Sequence, residues 1–518
     1  MKQSIKCLSG IATMSVLSAL ISSHAIAEIK MPSFFSDGMV LQQQTSAAIW
    51  GWAEPETQVD VSFAGKKMSQ STDARGQWKV VFQGLKASKE GAELTIQIGD
   101  ETKTIQNVLV GEVWLASGQS NMEWKMGQST SKDYAKTVDN PLIRHYKGEK
   151  KSTAKPQNDF VGTWVVATPE TTSTFSGVAF HFAEKLSNEL DVPVGIIETA
   201  WGGMPIQSFI SDQAIRQIPE AAKSVKIKES KVKGYNPAKA EAEYQQNLKA
   251  YEIAHQKWID AGKQGRGPRA PKPQADPNVA SGYHSNIYQG MIHPFVGYGM
   301  RGAIWYQGER NAGEGKHYGE LLEGLVTNWR SLWGLELSFY WVQLANFRAA
   351  TTQPGQEHGW VDLQDEQRRA LKTIPNSGMA VINDIGSAKG IHPGNKKDVG
   401  LRLARWALYQ DYGQTDVIRS GPLYQSTQFA AEKAIVSFDY AKGLTSRDGE
   451  KLARFELAGV DGTWVWGDAV IDGETVIVTA PSVEKATKVR YAWAMNPEGA
   501  NLVNEVQLPT SCFSSETN

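Results

Sequence analysis

Short runs of alternating apolar and polar residues fill positions from about 29 to 108, as in Val59-Asp-Val-Ser-Phe63 and Leu94-Thr-Ile-Gln-Ile98. A period of two buries one face of a strand, and the turn formers Asp73, Gly76, Gly99 and Asp100 separate the runs, so this region is expected to be a small antiparallel β domain. A second such region spans about 414 to 518, where Thr475-Val-Ile-Val-Thr479 follows the turn Asp472-Gly473 and Val489-Arg-Tyr-Ala-Trp493 forms a later strand. Between them the pattern changes. Predominantly apolar runs (113–116, 194–197, 303–306, 339–344 and 379–382) alternate with helical periodicity at 175–190, 317–333, 361–373 and 396–409. Strands buried on both faces and separated by helices predict an α/β domain with a parallel sheet, whose sites lie at the C-terminal strand ends.

The alternation is interrupted at 212–280, a charged, helix-prone segment with Tyr244, Leu248, Tyr251 and Trp258 at helical spacing, ending in the loop-forming GRGPRAPKP at 265–273. A solvated helical insertion without a catalytic part fits it. The expected organisation is therefore 28–108 as the N-terminal β domain, 109–211 with 281–413 as the catalytic domain, 212–280 as the insertion and 414–518 as the C-terminal β domain.

Composition narrows the function. The formal charge of −1 over 518 residues, with no cluster of Lys and Arg beside aromatics, argues against a nucleic-acid partner. Residues 1–27 combine Lys2 and Lys6, an apolar stretch from Ile11 to Ile21 and the small-residue pattern Ala25-Ile26-Ala27, which is a secretory signal pattern. Export to the periplasm or the medium is expected, without membrane insertion, because the apolar stretch is too short to span a bilayer. Cleavage would remove Cys7 and leave Cys512 alone, which excludes an intramolecular disulfide and a thiolate zinc site. No metal or cofactor is expected: the histidines lack H-x-x-x-H spacing, and neither GxGxxG nor GxxxxGK[ST] occurs between a strand and a helix.

The candidate chemistry begins at GEVWLASGQSNMEW (111–124), where an apolar run ends in a Gly-Gln-Ser-Asn turn. A serine directly after a buried strand is rigidly held with its hydroxyl in the crevice, as a nucleophile must be, although Gly and Ser also form ordinary turns. Three further segments change the balance. Gly202-Gly203 follows the strand at 194–197 and lets backbone N–H groups approach a ligand, Asn311 follows the strand at 303–306 with a neutral amide donor, and His392 lies in a loop before a helix. Together they supply a nucleophile, a base and oxyanion donors.

The motifs GQSNMEW (118–124), AWGGMPI (200–206), YQGMIHP (288–294), WYQGERN (305–311) and IHPGNK (391–396) resemble, in order and spacing, those of the sialate O-acetylesterase family of SGNH hydrolases, and the likeness extends from MPSFFSDGMVLQQ (31–43) to RYAWAMNPEGANLVN (490–504). The resemblance implies a three-layer, flavodoxin-like SGNH fold flanked by N- and C-terminal β-sandwich-like domains. It implies Ser120 as nucleophile, His392 as base, and an oxyanion hole of the Ser120 N–H, the Gly203 (or Gly202) N–H and the Asn311 amide. The activity implied is hydrolysis of sugar O-acetyl esters through an acetyl-serine, first of all on sialic acid; relatives acting on hemicelluloses such as xyloglucan or xylan are the alternative, and a non-catalytic glycan-binding protein on the same scaffold a third.

One departure stands out. Many SGNH enzymes carry an Asp two or three residues before the histidine, where this chain has Gly390 and Lys389. Asp384 in Ile382-Asn-Asp-Ile-Gly386 is the favoured third member of the triad, with a Ser-His dyad supported by a backbone carbonyl or by another acid such as Glu309 as the alternative. Gln119, Trp201, Glu309 and Arg310 are candidate contacts to the acetylated sugar, Arg310 as a cation for a sugar carboxylate. Trp124, Trp201 and Trp305 adjoin the motifs as a sugar-stacking wall or as core, and His293 is expected to be a hydrogen-bonded structural histidine.

Overall fold

The computed structural model describes residues 29–516, so the signal pattern at 1–27 lies outside the described residues. Its centre is a sheet of seven strands, β1 (Glu101–Gly118), β2 (Asn140–Gly148), β3 (Gly162–Ala167), β4 (Val194–Glu198), β5 (Gly302–Tyr306), β6 (Ser338–Val342) and β7 (Ser377–Ala380), in the order 7-6-5-1-4-2-3. All are parallel except β3, which is antiparallel to β2. The α/β reading of the middle of the chain holds. The β2–β3 hairpin, in contrast, has no counterpart in the apolar runs, because its residues Asn140, Arg144, His145 and Lys147 break the pattern.

Without that hairpin, the strands β1, β4, β5, β6 and β7 stand in the spatial order second-first-third-fourth-fifth. The chain thus leaves β1 toward one side for β4 and toward the other for β5, which opens a crevice at their C-terminal ends. Along each strand side chains alternate between two cores. Trp114, Ala116, Ile196, Ile304, Tyr340 and Val342 meet the helices α1 (Gly177–Leu190) and, further along the chain, α6 (Lys397–Gln410). Val113, Leu115, Ile197, Ala303, Phe339 and Trp341 meet α4 (Tyr318–Trp333) and α5 (Gly359–Thr373). Burial on both faces is why these strands are apolar throughout.

The insertion holds α2 (Ala222–Gly234) and α3 (Pro237–Asp260), and α3 buries only Ala240. Its aromatic stripe is covered by the loop that follows: the Trp258 indole donates to the Gln264 carbonyl at 3.0 Å, and a Cβ at Gly267 would sit 3.2 Å from the Trp258 ring. Near residue 414 the chain passes into strands that form two four-stranded sheets, which share one core containing Val436, Val478, Leu457, Val489 and Phe513.

At the other end, β1 is one strand with two environments. Up to Val110 it pairs with Ser88–Ile98 of the N-terminal β region, and from Glu112 it pairs with β4 and β5. Glu112, at the crossing point, is fully buried. Its carboxylate accepts from Gln42 (3.0 Å), Gln43 (2.8 Å), Tyr412 (2.9 Å) and the Arg301 guanidinium (3.0 and 3.2 Å), tying three parts of the chain together. Removing one partner of a buried ion pair leaves the other charge uncompensated, at a cost of about 3–5 kcal/mol. Glu112→Ala is therefore expected to lose about that much unfolding free energy, seen as a lower urea midpoint; an unchanged midpoint would contradict the role given to Glu112.

Candidate active site

The turn after β1 is set by Gly118. Its φ is +131°, and a Cβ there would lie 2.2 Å from the Tyr306 carbonyl oxygen, so only glycine lets β1 and β5 close together at this point. The Gln119 N–H then donates to Tyr306 O (2.9 Å), and Ser120 begins the one-turn helix Ser120–Glu123. The first N–H groups of a helix have no acceptor within it, which leaves the Ser120 N–H free for a ligand. Ser120 Oγ lies 2.8 Å from His392 Nε2, joining residues 272 positions apart in sequence. The imidazole is also stacked on Trp124, with ring centroids 4.6 Å apart and planes 20° apart.

The candidate oxyanion donors are Asn311 and the Gly202-Gly203 pair. Asn311 Oδ1 accepts from the Ile206 N–H (3.0 Å) and Gln307 Nε2 (2.8 Å), which fixes the amide orientation. Its Nδ2 donates one hydrogen to Gln207 Oε1 (2.9 Å) and keeps the other. The Gly202 N–H is already donated to Glu123 Oε2 (2.9 Å), whereas Gly203, at φ +75°, has open space around it. Of the two glycines, Gly203 is the available donor. A Cβ on Gly202 would lie 3.2 Å from the Ser120 Cβ, so this loop is packed directly against Ser120.

Asp384 does not support the imidazole. Both its oxygens are held by Arg402 (2.6 and 2.8 Å), and Arg447 from the C-terminal region adds a third contact at 3.4 Å. Two guanidinium groups outcompete a single imidazole for the carboxylate, and among the described residues no carboxylate hydrogen-bonds to His392. Glu309 is not the third member either. Its Oε1 accepts from Asn121 Nδ2 at 2.6 Å, and its Oε2 is buried without a hydrogen-bond partner. Gln119 is likewise buried, its side chain accepting the Arg310 N–H at 3.3 Å, so it braces the turn after β5 instead of meeting substrate.

The other candidates divide between rim and core. The Arg310 side chain is exposed, and Trp201 is half-buried with Lys150 Nζ 5.6 Å above its ring. Trp305 is fully buried and donates to the Tyr318 hydroxyl, which makes it core. His293 bonds the Gln157 carbonyl at 2.9 Å through Nδ1.

Several site residues were not singled out from sequence. Glu123 holds both the Gly202 N–H and Lys150 (2.6 Å). Asn121 lies inside a quoted motif as part of a turn, Lys396 ends another at the start of a helical pattern, and Gln207 directly follows a third. The Lys396 ammonium is buried, donates to Asn121 Oδ1, and lies over the rings of Trp124 (5.9 Å) and Tyr306 (5.4 Å). Burial lowers its pKa to about 7, while nearby Glu309 opposes the shift; burial raises the Glu309 carboxyl. The His392 pKa is lowered from its usual 6.5, first by burial and then by the Lys396 charge. The site thus presents an imidazole, disfavoured in its charged form by burial and by Lys396, 2.8 Å from a serine hydroxyl.

Residues 110–263 match the family model of carbohydrate esterases described as sialic acid-specific acetylesterases. The sialate O-acetylesterase of Rattus norvegicus is 24% identical, with 92% of this chain and 92% of the rat protein covered. The sialate O-acetylesterase of Homo sapiens is also 24% identical, with 79% of this chain and 76% of the human protein covered. Among solved structures, a carbohydrate acetylesterase from Xanthomonas citri is 32% identical, with a TM-score of 0.79 and coverage of 95% of this chain and 100% of that one. Identity at that level across nearly the whole chain, in a fold that brings Ser120 and His392 together, places this chain in the carbohydrate esterase family of sialic acid-specific acetylesterases.

Proposed function

We propose that this esterase removes O-acetyl groups from sugars with a Ser120–His392 dyad, and that O-acetylated sialic acid is its first substrate class. The observation that carries the chemistry is the 2.8 Å contact between Ser120 Oγ and His392 Nε2. His392 takes the hydroxyl proton as Oγ attacks the acetyl carbonyl, and the N–H groups of Ser120 and Gly203 with the Asn311 amide hold the oxyanion. The imidazolium returns that proton to the sugar oxygen as the C–O bond breaks, leaving acetyl-Ser120. Water deprotonated by His392 then releases acetate and restores the serine.

A carboxylate-bearing sugar is favoured by the exposed guanidinium of Arg310, since the other nearby cation, Lys150, is paired with Glu123. A neutral hemicellulose is the second reading, supported by the half-buried Trp201 face. The assembled dyad speaks against a non-catalytic glycan-binding protein. The strand order second-first-third-fourth-fifth and the helices on both faces support the SGNH assignment. The core shared by two C-terminal sheets supports a sandwich-like domain there, and Lys2, Lys6 and the apolar stretch behind them support export.

The wild-type protein is expected to give a burst of nitrophenol from nitrophenyl acetate, with acetate released only as the acetyl-serine is hydrolysed, and Ser120→Ala none; undiminished turnover in the variant would refute the mechanism. Faster release from O-acetylated sialic acid than from acetylated xyloglucan supports the first substrate class, and the reverse order supports the second. Asn311→Ala is expected to lower kcat by about a hundred- to a thousand-fold. Asp384→Asn is expected to lower kcat by less than about tenfold, where loss of an acid that orients the imidazole costs about ten-thousand-fold. The acid limb of the kcat/KM profile is expected below pH 6.5, because burial and Lys396 both disfavour the imidazolium and the base stays neutral to lower pH.

A further inference from the structure

A base with no carboxylate behind it still has to be oriented, and the loop from residue 383 to 396 that carries His392 contains no regular secondary structure. We infer that Asn121, gripped between Glu309 and Lys396, is the positioning residue that holds His392 where other serine hydrolases use an acid. This inference rests on the Ser120–His392 reading above.

The Asn121 side chain is 1% exposed and its polar atoms are committed. One Nδ2 hydrogen goes to Glu309 Oε1 at 2.6 Å, the other to the Ile391 carbonyl at 3.0 Å, and Oδ1 accepts from Lys396 Nζ. A flipped amide would set its oxygen against a carboxylate and a carbonyl, and its NH2 against an ammonium, so the orientation is fixed by charge on both sides. The Ile391 carbonyl belongs to the peptide leading into His392, and Asn121 is the residue after the nucleophile. One side chain therefore ties the backbone beside Ser120 to the backbone beside His392.

The ring is held by the same group of residues. His392 lies on Trp124, and Trp124 and Tyr306 lie under the Lys396 ammonium. Both the peptide and the imidazole face of His392 thus lead to Lys396, with Glu309 as its counter-charge. Burying two opposite charges is expensive, and well-packed apolar residues often serve stability as well or better. Their placement around Asn121, with one Glu309 oxygen and the Tyr306 hydroxyl left unpartnered, fits a role in the site more than a role in stability.

The arrangement also sets the charge that His392 experiences. Facing it are Ser120 and Trp124 from the turn after β1 and Lys396 at the start of α6. Lys396 faces Asn121, Trp124, Tyr306 and Glu309; beyond Ser120 stands the Glu123–Lys150 pair, and on the His392 loop Asp384 is neutralised by Arg402 and Arg447. Removing either member of the Glu309–Lys396 couple leaves a net charge beside the imidazole, and the two removals leave opposite signs.

The test measures kcat and KM against pH on a nitrophenyl acetate with the full chain, folding being checked by thermal melting. Asn121→Ala is expected to lower kcat about a hundred-fold with KM within about threefold of wild type, the signature of lost orientation in the transition state. Glu309→Gln is expected to move the acid limb of kcat/KM down by about half to one pH unit, and Lys396→Met to move it up by a similar amount. The double variant is expected to fall between them. Glu309→Gln keeps an acceptor for Asn121 and nearly the same shape, so it gives a signed answer even where Lys396→Met does not fold. Limbs that stay in place, or shift the same way, while melting temperatures fall would overturn the inference and leave a purely structural cluster. Because Ser120→Ala tests the dyad separately, loss of this inference is distinguishable from loss of the mechanism.

Discussion

The close approach of β1 and β5 at Gly118 is the contact on which the site depends. With a Cβ 2.2 Å from the Tyr306 carbonyl, any other residue would push the two strands apart. The strands would then lose the Gln119 N–H to Tyr306 bond that starts the turn, and Ser120 would no longer be fixed against the sheet. On the other side of β1, the Trp201 N–H donates to the Gly118 carbonyl at 3.0 Å, which brings the Gly202-Gly203 loop to the same place. One glycine thus brings together Ser120, the Gly202-Gly203 loop and the turn after β5 that carries Asn311. The topology makes this possible, because the chain diverges to opposite sides of β1 at this end.

Two carboxylates along and beyond β1 show how buried charge is treated differently for stability and for reaction. Glu112, where β1 passes from the N-terminal strands into the central sheet, has four residues donating to its carboxylate and no role in chemistry. Glu309, beyond the C-terminal end of the strand, has one oxygen bonded and the other unpartnered, next to a lysine whose pKa burial brings to about 7. The first arrangement fixes a junction between domains. The second leaves charge that responds to its surroundings, beside the residue that must gain and lose a proton.

What sequence revealed follows from which forces are local. The five strands linked by helices, and α1, α4, α5 and α6, were legible because burial on both faces, or on one stripe, imposes an apolar pattern on contiguous residues. Ser120, Asn311 and His392 were legible because each sits beside a strand or helix end in a motif of distinctive composition. The β2–β3 hairpin was hidden by polar residues whose partners are remote in sequence: Arg144 bonds Gly38 and Asn107, and His145 lies 3.1 Å from Glu198. Asp384 failed as the third triad member for the same reason. Its place after the last central strand favoured it, but its partners are Arg402, inside α6, and Arg447, in the C-terminal region. Gln119 and Glu309 looked like substrate contacts because they flank site residues, yet sequence does not say which way a side chain turns at a strand end.

A missing acid has a consequence for each half of the reaction. A carboxylate behind the imidazole would raise its basicity and help it deprotonate Ser120; here burial and Lys396 lower it instead. The first proton transfer is therefore harder, and it depends on the 2.8 Å contact and the stacked Trp124 to hold the geometry. The imidazolium, once formed, is a stronger acid than an ordinary histidine. It meets a sugar oxygen that is a poor leaving group unless protonated as the bond breaks, and a stronger acid gives that proton more readily. Where the leaving group is an alkoxide, expelling it is a substantial part of the barrier. A base weakened in this way thus gives up some driving force for attack and gains some for departure. That balance suits an ester of a sugar alcohol better than an activated ester, whose leaving group needs no proton.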